Sequence, residues 1–292
     1  MINSHYFFYI KKSMSLNKPI WKMRNWIDNI DMYYFSENSH PIAIKIIKEN
    51  YDEINWDVLS INPNALELLK DNYDKICWFN LSRNPNPEAI KLLEANKNKI
   101  CWITLSSNPN AIHLLETNPH KIDWYILSEN PNGIKLLKEY NKISWWNLSA
   151  NPNSEAIKML EENKDKINWN NLSGNPNPKA IKLLKENQSK IDWQSLSLNP
   201  NPEAIKLLEE NKDKINWHLL SMNPNAIKIL EENRDKIDWG NLLKNPSICE
   251  LDYEAMKKNN QEMYEELIKE VMKPSRVFKD PNYDYIEELF GD

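Results

Sequence analysis

Glycine is nearly missing from this 292-residue chain, with four residues in all, too few to furnish the phosphate-cradling loops of nucleotide sites. Cysteine is as scarce: Cys77, Cys101 and Cys249 form no CxxC pair. That spacing implies neither a disulfide-stapled secreted domain nor a zinc knuckle, and speaks for a reducing interior. Charge of one sign is not in excess either. The 37 Lys and Arg against 42 Asp and Glu leave a net charge of -5, which argues against a dedicated polyanion binder. Long apolar runs are missing too: residues 6–10 are apolar but run straight into Lys11 and Lys12, giving neither a signal-peptide core nor a membrane span. The expectation is a soluble protein of the cell interior, cytoplasmic, with no membrane partner.

Asparagine, in contrast, takes up about 15% of the chain, far above ordinary usage, and it falls in a pattern. From about residue 30 to about residue 250 the sequence repeats I-x-W-x-x-L-S-x-N-P-N, then A-I-x-L-L-x-x-N-x-x-K. Trp56, Trp78, Trp102, Trp124, Trp145, Trp169, Trp193, Trp217 and Trp239 head nine copies, and Met32 holds the same place in Ile30-Asp31-Met32-Tyr33-Tyr34-Phe35-Ser36. About ten copies, 21 to 24 residues apart, have the period of a solenoid, in which each copy is too small to bury its apolar face alone.

Helix signals recur in each copy. Asn55, Asp123, Ser144, Asn168, Asp192, Asn216 and Asp238 each precede a Trp and are good N-cap residues, so a short helix starts at the Trp. The Ile before the cap and the Leu after it, as in Ile167 with Leu172, suit a hydrophobic staple. Proline just beyond, as in Asn175-Pro176, ends that helix within one or two turns. Asn-Pro then opens a second helix of about ten residues, with Asn as cap and Pro at the first helical position. In the copy Asn201-Pro202-Glu203 an acidic residue supports the first turn and Asn211 suits a left-handed stop. Short copies read N-P-N-A-I where long ones read N-P-N-P-E-A-I; the first Asn-Pro is then expected to cap the helix, leaving its start intact.

These signals predict an all-α solenoid of about ten 21–24-residue two-helix repeats, with the tryptophans piled as the buried spine of a rod. A leucine-rich-repeat horseshoe has an overlapping period, but its L-x-L strand alternation is missing and proline follows Leu-Ser too closely for a ladder strand. The segment L-S-x-N-P-N-P-E-A-I-x-L-L, as in 196–208, resembles the leucine-rich-repeat variant family, whose copies pair a short 3₁₀ helix with an α-helix. The Trp-marked, Asn/Ile/Lys-biased form is similar to arrays encoded by large DNA viruses of amoebae. The resemblance implies architecture and, for a viral array, the host cytoplasm; it implies no uniform activity. The fixed Trp departs from the variant family, and no cysteine cluster is present to hold an iron–sulfur centre, so no cofactor carries over.

Three regions follow: an N-terminal cap over 1–29, the repeats over 30–250, and a C-terminal capping helix with an acidic-aromatic tail over 251–292. Tyr6, Phe7, Phe8, Trp21 and Trp26 are off pattern and suit a lid over the first repeat; the amphipathic stretch 251–272 suits a lid over the last. The tail 283–290 is expected to fold back, with docking into a partner groove as the other reading.

Candidate chemistry is sparse. Ser60, Ser82, Ser106, Ser128, Ser149, Ser173, Ser197 and Ser221 form a column; a nucleophile needs a unique basic neighbour, so repetition marks them as structural. His5, His40, His113, His120 and His218 show no metal-ligand spacing, and Cys77 with Cys101 reads as a chance pair in adjacent copies. No catalytic residue and no metal site is predicted. Two columns suit binding. The residue after each Trp is Asp57, Phe79, Ile103, Tyr125, Trp146, Asn170, Gln194, His218 and Gly240; polar tolerance in later copies argues for exposure, so Phe79, Ile103, Tyr125 and Trp146 make a candidate protein-docking strip. Packing under the N-terminal segment is the competing account. Lys75, Lys99, Lys121, Lys142, Lys166, Lys190, Lys214 and Lys236 recur once per copy and would track a phosphate backbone. Asp74, Asp165, Asp213 and Asp235 sit beside them and no arginine accompanies them, which favours a solvated stripe. The function expected is a non-enzymatic scaffold or adaptor for an unidentified protein, with single-stranded RNA binding through the lysines as the alternative.

Overall fold

The computed structural model describes residues 19–27 and 29–271. These are predominantly helical, with two three-residue strands, and the protein is all-α in character. It divides into two compact units, Arg24–Cys249 and Met1–Met23 with Glu250–Asp292. In the smaller unit, strand Trp21–Met23 pairs with Cys249–Leu251. The Asp252 amide donates to the Ile20 carbonyl at 2.8 Å, and the Asp252 carboxylate caps the helix Tyr253–Val271 by accepting from the Ala255 amide. Tyr6, Phe7 and Phe8 and the tail 283–290 lie outside the described residues. Trp26, read as part of a cap, belongs to the larger unit and is buried.

Within Arg24–Cys249 every first helix starts at its Trp, or at Met32 in the first copy, and runs four to six residues. Asp123 accepts from the Ile126 amide, Asn168 from Asn171, and Asp192 from Ser195, each satisfying an amide that the first turn leaves unpaired. Long copies have second helices of nine residues, such as Pro178–Glu186 and Pro202–Glu210, capped by Asn177 and Asn201. Three expectations need correction. In short copies the deletion comes out of the helix: Leu66–Asp71 and Ile227–Glu232 have six residues and start from an alanine. Asn211 does not turn left-handed; at φ -131° it caps through its side chain, whose Nδ2 donates to the Leu207 carbonyl at 2.8 Å. Asn141, at φ 51°, is the left-handed position. Finally, most copies carry a third element, a 3₁₀ turn such as Lys164–Lys166 that ends on the column lysine.

The tryptophans are not the spine. Leu59, Leu81, Leu105, Leu127, Leu148, Leu172, Leu196, Leu220 and Leu242 have no solvent exposure, nor has Phe35 in the same place. Leu69, Leu93, Leu160, Leu184 and Leu208 from the second helices are equally buried, with Ala89, Ala156, Ala180 and Ala204 between the layers. Gly133 replaces that alanine in one copy, where a Cβ would stand 2.8 Å from Leu127 Cδ1. The indoles sit at the edge of this core, half-buried, and Trp239 is 48% exposed.

Polar bonds join each copy to the one before. Every column serine donates to the carbonyl of its own Trp and accepts an amide from the next copy, as Ser149 does from Asn168 at 3.0 Å. The first Asn of N-P-N is fully buried and donates two bonds backward: Asn151 Nδ2 reaches the Ser128 carbonyl at 2.9 Å and the Asn130 carbonyl at 2.8 Å, while its Oδ1 accepts from the Asn153 amide. The second Asn donates to the preceding copy's proline carbonyl, as Asn177 does to Pro152. The same paired bonds run through Asn62, Asn84, Asn108, Asn130, Asn151, Asn175, Asn199, Asn223 and Asn245.

The ladder also returns to its start. Asn38 Nδ2 donates to the carbonyls of Leu243 at 2.8 Å and Asn245 at 3.0 Å, the partners that every other copy takes from its predecessor. Across this seam Lys244 pairs with Glu37 at 3.1 Å, and Trp26 packs edge-on to Trp239 at 6.2 Å while donating to Glu231 at 3.0 Å. Helices Met32–Phe35 and Trp239–Lys244 are thus neighbours. The expected rod with two end faces is replaced in this unit by a closed ring. Copy-to-copy chemistry is local, whereas closure depends on the rotation each copy adds, which no residue type announces.

Two outcomes follow from the ladder. Asn151→Ala orphans the buried Ser128 carbonyl and the Asn153 amide and leaves the Asn130 carbonyl only the Gly133 amide; it should cost roughly 2 kcal/mol or more, read by urea denaturation, whereas Asn170→Ala on the exposed column should stay within about 0.5 kcal/mol. At the seam, a Cβ on Gly240 would lie 3.2 Å from Tyr34 Cε2 and Cζ. Gly240→Leu should therefore speed amide exchange in 32–38 and 239–245 while the helix Ser154–Glu162 stays protected. Equal protection at the seam would contradict closure.

Candidate docking surface and inner wall

The residue after each Trp occupies the second position of a four- to six-residue helix, turned away from the leucine layer. Phe79, Ile103, Tyr125 and Trp146 are 54, 56, 71 and 59% exposed, so in the described structure no segment covers them. Tyr33, at 60%, stands in the same column; sequence reasoning passed over it because its copy starts with Met32, and Asp57 separates it from the strip. Backbone carbonyls under the strip are bonded by the following copy: Thr104 donates to the Phe79 carbonyl and Asn171 to that of Trp146. Apolar side chains thus stand outward on a backbone that is held firmly.

The lysine column is exposed, but it is not free. Lys99 lies 4.5 Å over the Trp78 ring, Lys121 4.4 Å over Trp102, Lys142 5.2 Å over Trp124, Lys166 4.6 Å over Trp145, Lys214 4.5 Å over Trp193 and Lys236 4.7 Å over Trp217. Each of these ammoniums, at the end of its copy, rests on the indole that heads the same copy, an attraction of about 0.5–1 kcal/mol at exposed sites. Lys75 and Lys190 hold the same place in their copies, on the 3₁₀ turns Tyr73–Lys75 and Gln188–Lys190. The column therefore closes the outer edge of the core.

One copy differs. After Tyr125 the second helix Ile134–Tyr140 ends at left-handed Asn141 with no 3₁₀ turn, and Tyr140 tilts against Trp124 at 5.0 Å. A hollow of about 370 Å³ remains, lined by Trp124, Tyr125, Asn141, Lys142, Ile143 and Ser144.

A second hollow, about 620 Å³, lies on the inner side and was not foreseen. Glu37, Ile61, Arg83, Ser107, Glu129 and Ala150, one from each of six successive copies, line it with Ser39, Pro63 and Pro85. These are the variable residues between Ser and Asn of the motif, and their convergence on one space makes them the inner wall of the ring. No chemical signature unites them, which is why the sequence hides the wall. Of its charged groups, burial raises the Glu129 carboxyl above its ordinary value, opposed by Arg83 and by a hydrogen bond from Asn147.

No family model, no curated protein and no solved structure matches the chain.

The remaining candidate residues have structural partners. His113 contacts Glu94 at 2.9 Å, and His218 bridges Asp238 at 2.8 Å and Asn241 at 3.0 Å. Cys77 and Cys101 are unbridged N-cap residues whose amides donate to Ser60 and Ser82. Among the described residues no group of three or more His, Cys, Asp or Glu is placed to hold a metal ion, and no helix is long and apolar enough to cross a membrane.

Because the Glu129 value is raised in the folded state, its ionisation opposes folding above that value, and the penalty is absent below the ordinary 4.5. Glu129→Gln should raise Tm at neutral pH and give no gain below about pH 4.5; a gain that persists in acid would assign it to packing instead.

Proposed function

We propose that Arg24–Cys249 is a solenoid of about ten 21–24-residue repeats, closed on itself, and that it serves as a non-enzymatic scaffold or adaptor that captures a protein on its outer aromatic strip. The observation carrying this reading is the run of Phe79, Ile103, Tyr125 and Trp146, apolar in four successive copies and each more than half exposed. A contiguous apolar patch of this kind costs solubility unless a partner covers it, and aromatic groups on a rigid backbone make good anchors. The column hydroxyls are spent on scaffold bonds: each serine donates to the carbonyl of its own Trp and accepts an amide from the next copy, which supports a structural role for this column over that of an activated nucleophile.

Single-stranded RNA binding is the other reading, favoured by the one-per-copy spacing of the lysines. Against it, Asp74, Asp165, Asp213 and Asp235 directly precede four of the eight lysines, which breaks the column as a continuous phosphate track. A cytoplasmic setting accords with the adaptor reading, in the host cell for an array of the viral type that the motif resembles.

The combined variant Phe79→Ser, Tyr125→Ser, Trp146→Ser should keep the wild-type Tm within a few degrees, since exposed side chains contribute little to stability, and should lose the proteins that the wild type retains from nuclease-treated lysate. A collapse in Tm would mean the strip is packed, and unchanged retention would move the docking surface elsewhere.

A further inference from the structure

We propose that the strip accepts an extended acidic peptide segment with apolar anchor residues, its carboxylates meeting the lysines beside the strip. The inference rests on the adaptor reading and adds the chemistry of the partner. Each strip residue directly follows a Trp that carries the lysine at the end of the same copy: Lys99 serves Phe79, Lys121 serves Ile103, Lys142 serves Tyr125 and Lys166 serves Trp146. The two rows share space at the hollow lined by both Tyr125 and Lys142. An apolar row and a cationic row therefore run side by side, one member of each per copy.

The charge around these lysines differs from that elsewhere on the ring. Asp74, Asp213 and Asp235 precede three of the four column lysines outside the strip copies, and Ser189 precedes the fourth. Asn98, His120 and Asn141 precede Lys99, Lys121 and Lys142, so the acidic neighbour is absent where the aromatic strip lies, until Asp165 at its far end. Glu94 and Glu116, on the second helices of these copies, are taken up by His113 at 2.9 Å and Lys135 at 3.8 Å. On a chain of net charge -5 this is a local reversal of sign, and it favours a negatively charged partner. Asp57 and Asn170 bound the apolar row, which limits the contact to about four copies. The hollow at Tyr125, about 370 Å³, opens on this row and suits one bulky anchor side chain. Nucleic acid fits this pairing less well, because Ile103 offers a base no aromatic face for stacking.

Fluorescence anisotropy on the full chain tests the assignment with a labelled dodecapeptide alternating Glu with Leu and Phe, the same peptide with Gln or Lys for Glu, and oligouridine. The Glu peptide should bind at least about tenfold more tightly than the Gln peptide and weaken between about 50 and about 300 mM NaCl. The Lys peptide should not bind. Lys121→Gln with Lys142→Gln should erase the Glu-over-Gln preference while keeping Tm, and the Ser-substituted strip should lose both peptides. Equal binding of the Glu and Gln peptides would overturn the acidic assignment and leave the docking strip standing. No binding by any peptide would sink both, and oligouridine binding more tightly than the Glu peptide would hand the lysines to nucleic acid.

Discussion

A buried asparagine side chain that reaches back to two carbonyls of the previous copy is the interaction on which everything else in Arg24–Cys249 depends. A primary amide has two donor hydrogens and an acceptor oxygen. Here one donor satisfies the Ser128 carbonyl, which the helix end leaves unpaired, the other joins the Gly133 amide on the Asn130 carbonyl, and the oxygen accepts the amide that starts the next turn. Glutamine would be too long, aspartate would bring charge without donors, and an apolar residue would strand the carbonyls. The register between copies is thereby set by polar satisfaction and the burial energy by the leucines beside it. The same division lets the residue between Ser and Asn vary from Glu37 to Ile61 to Arg83 without disturbing the stack.

Much of this was legible because the relevant chemistry is local. Asn or Asp before a Trp, Ile before the cap, and Pro after Asn each act within one turn, and the first helices and the second helices of the long copies start where such signals put them, whereas the short-copy helices Leu66–Asp71 and Ile227–Glu232 start from an alanine. The failures came from tertiary geometry. The recurrence of Trp at the head of each copy made it the expected spine, yet the indole at the first helical position reaches only the rim, whereas Leu four residues past the cap points into the shared interior. The lysines looked like a solvated row or a phosphate track because nothing in their spacing tells that six of them rest on the ring that heads their own copy. The inner wall stayed hidden for a different reason: its members share a place but no residue type.

The exposed strip was legible in part. A column that is apolar in four copies and polar in the next three cannot be core throughout, and that argument needed only the alignment of copies within the chain. What it missed, the hollow beside Tyr125, arises from a deletion that removes a 3₁₀ turn, so its signal was the 21-residue interval from Trp124 to Trp145. Local irregularity in an otherwise regular array thus coincides with a recess on its apolar row.

Closure changes how such a molecule comes apart. In a linear stack the outermost copy is held on one side and peels away first, so melting begins at the margins and spreads inward. Where Asn38 meets Leu243 and Asn245, no copy is outermost, and freeing any one of them means severing two junctions together while the chain gains little freedom from the first break. Partly melted forms are then disfavoured, and the repeats should melt as a single cooperative block despite being assembled from pieces that cannot fold singly.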